Sequence, residues 1–356
     1  MKDGDWYIGY GSHGSLPGAD LTFGRRSSGI YCLEEPDVAF ADPDVGDESL
    51  PGEDGIRMGR DYQRAATVTF SLGVDAVDAP VDRKWPKGDR WQGVGEMIGG
   101  WDEANNSGPI LSMLRAQGTP EDWVQEGVGM LRQVWRADSM RDRPGDPAWL
   151  VHRTSGRTRR LIGRPRKFAV ASSKFQRQGY IPVVAEFVAI DDRFYDEVRQ
   201  VAELWDYSIP RVLWRPGRPA GDIAEWKSSF TRRKTTITVG GRVATHPVIV
   251  IHGPCKDPKL TLGGLWAVQL GLTLKRGETV TIDAGPWART VTKVTASGTS
   301  SSVADKLTRA SPLLRDLKVP PGQWTATLAY SRTGTTYPEG TGPRIEFKWR
   351  NAHTWW

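Results

Sequence analysis

Alternation of apolar and polar positions is clearest in the C-terminal third. Trp266, Val268, Leu270, Leu272 and Leu274 alternate with Ala267, Gln269, Gly271 and Thr273, the two-residue period of a half-buried strand. Trp324, Ala326, Leu328 and Tyr330 repeat it, as do Ile345, Phe347 and Trp349. Between them lie Glu278 to Asp283 and the run Pro247-Val248-Ile249-Val250-Ile251, whose composition predicts a strand buried on both faces. Gly253-Pro254, Gly263-Gly264, Arg276-Gly277, Pro320-Pro321-Gly322 and Gly340-Thr341-Gly342 supply turns. Many short strands at this spacing predict an antiparallel sandwich or jelly roll.

The N-terminal region is β-rich with helical insertions. Val68, Phe70, Leu72 and Val74 alternate with Thr67, Thr69, Ser71 and Gly73, and a second strand runs from Ile181 to Ile190. Thr119, Pro120 and Asp122 stand at the cap, first-turn and capping-box positions of a helix. Its apolar face carries Val124, Val128, Leu131 and Trp135. A shorter helix is predicted from Pro109 to Ala116. Pro210, Pro216 and Pro219, with Gly217 and Gly221, read as a connector. The predicted organisation is therefore residues 1–200, a connector at 201–235, and residues 236–356. The fold class is mainly β, a β-rich α+β chain. Its first domain is a β-sandwich or split barrel with one or two helices, and its second is an antiparallel sandwich.

Composition and charge change this picture at three points. Only two cysteines, Cys32 and Cys255, occur in 356 residues, which excludes a disulfide framework and points to a reducing site of synthesis. No basic start followed by an apolar run opens the sequence, so no secretory signal is expected, and no stretch is apolar for long enough to span a membrane. The net charge of +6 is unevenly spread. Glu34 to Asp61 holds ten acidic residues against Arg57 and Arg60, whereas Arg132 to Arg177 holds thirteen Lys or Arg against three Asp. Such blocks attract nucleic acid or each other.

The motifs that would mark catalysis are weak or missing. Gly9-Tyr10-Gly11-Ser12-His13-Gly14 fits a dinucleotide fingerprint, but Ser15-Leu16-Pro17-Gly18 begins no helix to receive a pyrophosphate. His246 and His252 are six apart and would share a strand face, with no carboxylate or cysteine at ligand spacing. No nucleophile elbow or Walker loop is present. The expectation is no enzyme, no cofactor and no metal. Phe168 and Phe175 lie within the basic block, where stacking on bases would place them, yet Arg157 to Arg164 reads better as a hairpin or strand edge. Nucleic acid is thus the less favoured partner. Sixteen tryptophans are unusual. Trp266, Trp324 and Trp349 fall on apolar strand faces and belong in a core, whereas Trp355 and Trp356 follow the last predicted strand, placed to dock onto a neighbouring chain.

Taken together, these segments resemble the distal tail proteins, a class of minor tail protein, of long-tailed siphovirus-type phages, in particular those of actinobacteria. The likeness rests on Phe23-Gly24, on Ser28 to Tyr31, on Leu50 to Asp61 with the strand Ala66 to Phe70, and on Glu186 to Tyr195. In the second half it rests on Thr245 to Pro254, Lys275 to Asp283, Val319 to Trp324 and Lys348 to Ala352. One departure is Gln323-Trp324, where the family usually has an asparagine after the late proline-glycine.

The resemblance implies a virion protein at the distal end of the tail, with no catalytic residues. It implies a homo-hexameric ring of first domains between the tail tube protein and the tip hub or tail-associated lysin. The tape-measure C-terminus and adhesion proteins are further neighbours, and the second domain would be galectin-like. The alternative is a carbohydrate-binding module that recognises the host through that sandwich. A closed ring sets one face of each copy against a different face of the next. Glu34, Glu35 and Asp37 on one side and Arg157, Arg159 and Arg160 on the other are the expected interface residues.

Overall fold

The computed structural model describes the chain apart from residues 14, 15, 17, 51, 53, 60, 76–118, 142, 144, 207–210, 213–224, 227–230 and 332–341. The helix expected at 109–116 lies outside the described residues. The fold is mainly β, as the alternation predicts, and divides into two compact units. Unit 1 comprises Met1–Glu197 with Thr354–Trp356, and unit 2 comprises Val198–His353.

Unit 1 is built on one antiparallel sheet. Its strands are β1 (Trp6–Tyr10), β2 (Ala19–Phe23), β3 (Ile30–Cys32), β4 (Asp37–Phe40), β5 (Glu48–Ser49), β6 (Ile56–Arg57), β7 (Ala66–Asp75), β8 (Ala148–Thr154), β9 (Arg157–Val170), β10 (Tyr180–Ala189) and β11 (Phe194–Asp196). The order is β2-β1-β8-β9-β10-β7-β3, with β4 on β7 and β11 on β9, while β5 and β6 pair apart from it. In β7 and β10 every second residue is buried: Val68, Phe70 and Leu72 on one, Ile181, Val183, Ala185 and Phe187 on the other.

Helix α1 (Pro120–Arg136) covers that face. Thr119 and Asp122 form the predicted reciprocal capping box, and Pro120 stands in the first turn. Val124, Leu131 and Trp135 are buried in the unit 1 core, and Val128 packs at its margin. Three bonds tie this end of the helix to its surroundings. The Tyr10 hydroxyl donates to Val134 O at 2.9 Å, Trp135 Nε1 donates to Glu186 O at 3.1 Å, and Ser139 Oγ donates to Gly11 O at 3.0 Å. Burial raises the Tyr10 hydroxyl far above its ordinary value, so it stays a neutral donor.

Unit 2 is a two-sheet sandwich. Its strands are β12 (Gln200–Asp206), β13 (Arg211–Val212), β14 (Glu225–Trp226), β15 (Thr231–Arg232), β16 (Lys234–Val239), β17 (Val248–His252), β18 (Cys255–Leu262), β19 (Trp266–Gln269), β20 (Thr273–Leu274), β21 (Thr279–Asp283), β22 (Thr290–Val294), β23 (Ser300–Ser302), β24 (Gly322–Ser331) and β25 (Arg344–Trp349). One sheet runs β15-β12-β25-β17-β21-β22-β23 and the other β16-β24-β18-β19, with β20 on β18. Cross-strand registers place Leu204 opposite Ile345, Ile345 opposite Ile251 and Ile251 opposite Val280, a continuous apolar row. Ile237, Leu260, Leu262, Val268, Ala326 and Leu328 complete this core from the other sheet.

Three expectations are corrected here. Residues 201–206 are no connector: they belong to β12, with Leu204 fully buried, Asp206 only 6% exposed, and Arg233 and the Tyr330 hydroxyl bonded to the Asp206 carboxylate. Prolines further along masked that short alternation. Strand β17 is buried on one face only, because Val248 and Val250 stand opposite Lys348, Asp283, Glu346 and Thr281. The long strand expected over 266–274 is broken into β19 and β20, and Leu270 between them meets Leu307 in an isolated bridge.

Candidate assembly surface

The arginine block 157–160 opens β9. It is a hairpin with β8, closed by Ser155 and Gly156, whose φ values of 49° and 73° are both left-handed. That is the two-residue turn whose twist matches the strands, and Gly156 adopts it without strain. Arg157 is exposed beside the turn. Arg159 and Arg160 turn back onto their own unit. The Arg160 side chain is 12% exposed, and its Nε donates to Glu197 Oε2 at 2.7 Å while Nη2 donates to Oε1 of the same carboxylate. Its guanidinium also lies 5.7 Å from the centre of the Trp149 ring. Arg159 is 11% exposed, lies 3.8 Å from Asp196 and donates to Trp355 O. Strand β11 does this, because it sets Tyr195 and Asp196 opposite Arg160 and Arg159. Of the three expected interface arginines, Arg157 alone is fully at the surface.

The last two residues also fold back onto unit 1. The Trp356 ring meets Phe194 at 4.4 Å and stands edge-on to Trp6 at 4.9 Å, and Trp6 stacks on His152 at 4.0 Å. Burial lowers the His152 pKa, against an opposing bond to Asp5 O. Trp355 remains 51% exposed, with its ring 6.0 Å from that of the partly exposed Phe40.

On the acidic side, Glu34, Glu35 and Asp37 are exposed, and Glu34 accepts a hydrogen bond from Ser71 Oγ at 2.5 Å. Beyond β4 the chain makes an arm over residues 41–65. Every described residue from Ala39 to Ser49 and from Asp54 to Arg64 is exposed. The arm nevertheless has its own ladder: β5 pairs with β6, Asp44 and Tyr62 exchange backbone bonds of 2.8 and 2.9 Å, and Gly59 N donates to Asp47 Oδ1 at 3.0 Å. It carries bare apolar side chains, with Met58 81%, Val45 58% and Ile56 57% exposed. Exposed apolar clusters of this kind mark contact surfaces.

A feature the sequence reading missed lies at the far end of α1. There a cavity of about 270 Å³ is floored by Trp135, Met140 and Pro165 and rimmed by Arg136, Arg141, Arg164 and Arg166. The helix end explains part of this gathering. The last carbonyls of a helix lack partners and carry partial negative charge, and Arg141 Nε donates to Arg136 O at 2.8 Å. Arg136 and Arg141 also contact Asp138, at 2.8 and 3.5 Å. Arg164 Nη2 reaches Asp146 O at 3.1 Å, as well as Arg143 O. Burial, and then the charge of Arg166, push the Arg164 pKa down. Arginines at 136, 141, 164 and 166 have no common sequence period, so only the block's overall charge hinted at the site.

Other candidate chemistry is placed as follows. Gly9 lies inside β1, opposite Asp20 and Trp149, and His13 and Leu16 exchange backbone bonds. His252 contacts Glu346 at 3.1 Å on β25, whereas His246 precedes β17 and faces Trp287, so the two do not share a strand. Among the described residues no three His, Cys, Asp or Glu gather as a metal site, and no helix is long and apolar enough to cross a membrane. Trp266 and Trp324 pack on the unit 2 core, their indole N–H groups bonded to Lys318 O and Pro320 O, both at 2.9 Å.

No family model matches the chain, and no curated protein matches it. Among solved structures it is similar to the SPP1 Dit (gp 19.1) protein, described as a paradigm of the hub adsorption apparatus in phages infecting Gram-positive hosts. That likeness has a TM-score of 0.45 and 11% identity over 98% of each chain. It is also similar to a chain of the phage P2 baseplate in its activated conformation with Ca, at a TM-score of 0.46 and 10% identity over 97% of each chain.

Proposed function

We propose that this chain is a structural, non-enzymatic part of a long-tailed phage virion, a distal tail protein whose first unit forms a six-fold ring at the end of the tail tube. In that role it meets the tube protein on one side and the tip hub on the other. The observation that supports this reading best is where the quoted motifs fall. The segment Glu186 to Tyr195 spans the end of β10 and most of β11, the last two strands of unit 1 in chain order. Val248–His252, Thr279–Asp283, the start of β24 and the end of β25 are strands of one sandwich with a separate core. A chain of this resemblance needs that division into a ring-forming unit and an outward sandwich.

Trp355, half exposed beside Phe40, is a docking point for a neighbouring tail protein in this reading. The test is the mass and shape of the purified full chain, by sedimentation and electron microscopy. A closed ring of six is the expected result. A chain that stays monomeric at every concentration and is absent from tail tips labelled with an antibody against it would overturn the reading.

A further inference from the structure

We propose that the acidic arm, residues 41–65, of one copy seats in the arginine-rimmed cavity of the next copy. This deepens the ring reading above and rests on it.

Arm and cavity match in two independent respects. The first is charge. The arm exposes Asp42, Glu48, Asp54 and Asp61. The cavity is lined by Arg136, Arg141, Arg164 and Arg166, of which Arg136 and Arg141 share one carboxylate, Asp138, and Arg166 is exposed. Guanidinium and carboxylate pair through two parallel hydrogen bonds, so a few such pairs fix direction and register as well as sign. The second is apolar shape. The arm offers Met58, Val45 and Ile56 to solvent, and the cavity floor is Trp135, Met140 and Pro165. An apolar centre inside a charged rim is the usual anatomy of a contact between proteins.

The contact is between copies, because the arm's described residues are exposed in its own chain. Each copy carries both halves at different places on unit 1, so the contact is head-to-tail, the kind that closes a ring. The cavity also accounts for the basic block better than the hairpin does. Arg159 and Arg160 are occupied by Asp196 and Glu197, whereas Arg166 is exposed and stands close enough to Arg164 to depress its pKa. Incoming carboxylates would relieve that repulsion.

The experiment uses full chains with exposed residues reversed. One variant carries Asp42→Lys, Glu48→Lys and Asp54→Lys on the arm, and the other carries Arg141→Glu and Arg166→Glu on the cavity rim. Association is followed by sedimentation velocity at low salt, where charge contacts are least screened, with circular dichroism to verify the fold. Each variant alone should associate at least tenfold more weakly than the wild-type chain. Mixed one to one they should associate again, because each reversed surface then meets its complement.

Rings that form from each reversed variant as readily as from the wild-type chain would overturn the arm-to-cavity contact and leave the ring reading standing. Two variants that fail alone and also fail together would overturn it as well. A wild-type chain that never associates would overturn the ring reading and this contact together. If inorganic phosphate raises the melting temperature of the wild-type chain but not of Arg141→Glu/Arg166→Glu, while both variants assemble normally, the cavity belongs to a small anion and the proposal is wrong.

Discussion

Two groups of arginines from one basic block meet opposite fates. On the β8–β9 hairpin, Arg159 and Arg160 are nearly covered, and β11 and the residue that follows it supply a carboxylate to each, Asp196 and Glu197. At the end of α1, Arg136 and Arg141 keep 64% and 63% of their side chains exposed around an open cavity. The first group holds the unit together; in the second, Arg136 and Arg141 share the single carboxylate of Asp138 and Arg166 is exposed, which leaves positive charge open to another molecule. Charge counted along a sequence therefore gives the sign of a surface, but not which of its charges are already spent.

That contrast can be broken at its margins. The largest effect is expected at the cavity floor, which belongs to the core. Trp135→Ala removes a fully buried ring and its bond to Glu186 O, and should cost about 4 kcal/mol in urea unfolding. A loss below about 1 kcal/mol would mean that the floor is not core after all.

A buried carboxylate gives the next test: Asp191, with Arg193 4.0 Å away as its ion-pair partner. Burial pushes the Asp191 carboxyl up to about 6, although the Tyr195 hydroxyl, 2.5 Å away, and the charge of Arg193 pull it down. The folded chain holds this proton more tightly than the unfolded chain. Its contribution is therefore complete below about pH 4 and is lost as the pH rises through about 6, by roughly 3 kcal/mol. Asp191→Asn, uncharged throughout, should lack that fall. Urea midpoints of variant and wild type that shift in parallel between pH 4.5 and 7.5 would show that Asp191 titrates normally.

The smallest effects compare the two arginine groups directly. Arg160→Ala loses a bidentate pair and packing on Trp149; with Glu197 40% exposed, it should cost about 2 kcal/mol. Arg166→Glu, on the open rim, should change stability by no more than about 0.5 kcal/mol. Equal losses at the two positions would erase the distinction between spent and available charge.

Much of the fold was legible because it is written in local patterns. The alternation in β7, β10, β24 and β25 and the capping box of α1 each depend on residues within one element, where the period of the backbone sets which side chains share a face. The errors arose where a pattern was short or one-sided. Strand β12 has seven residues with prolines downstream, and the apolar composition of β17 concealed that its second face meets Lys348 and Glu346.

The candidate site was less legible, since its parts come from separate elements. Trp135 and Arg136 end a helix, Met140 and Arg141 follow it, and Arg164, Pro165 and Arg166 lie in the middle of β9. No spacing in the sequence announces that these meet.

By itself, then, the sequence determined a mainly β chain, two apolar cores, the helix with its cap, and a segregation of acid from base. Only the tertiary structure decided which charges stay open. Arg160 finds Glu197 across 37 positions, and Trp356 finds Trp6 from the other end of the sequence. The physical reason is that a strand's period follows from its own backbone, whereas the partner of a charge is fixed by whichever distant strand the packing brings beside it.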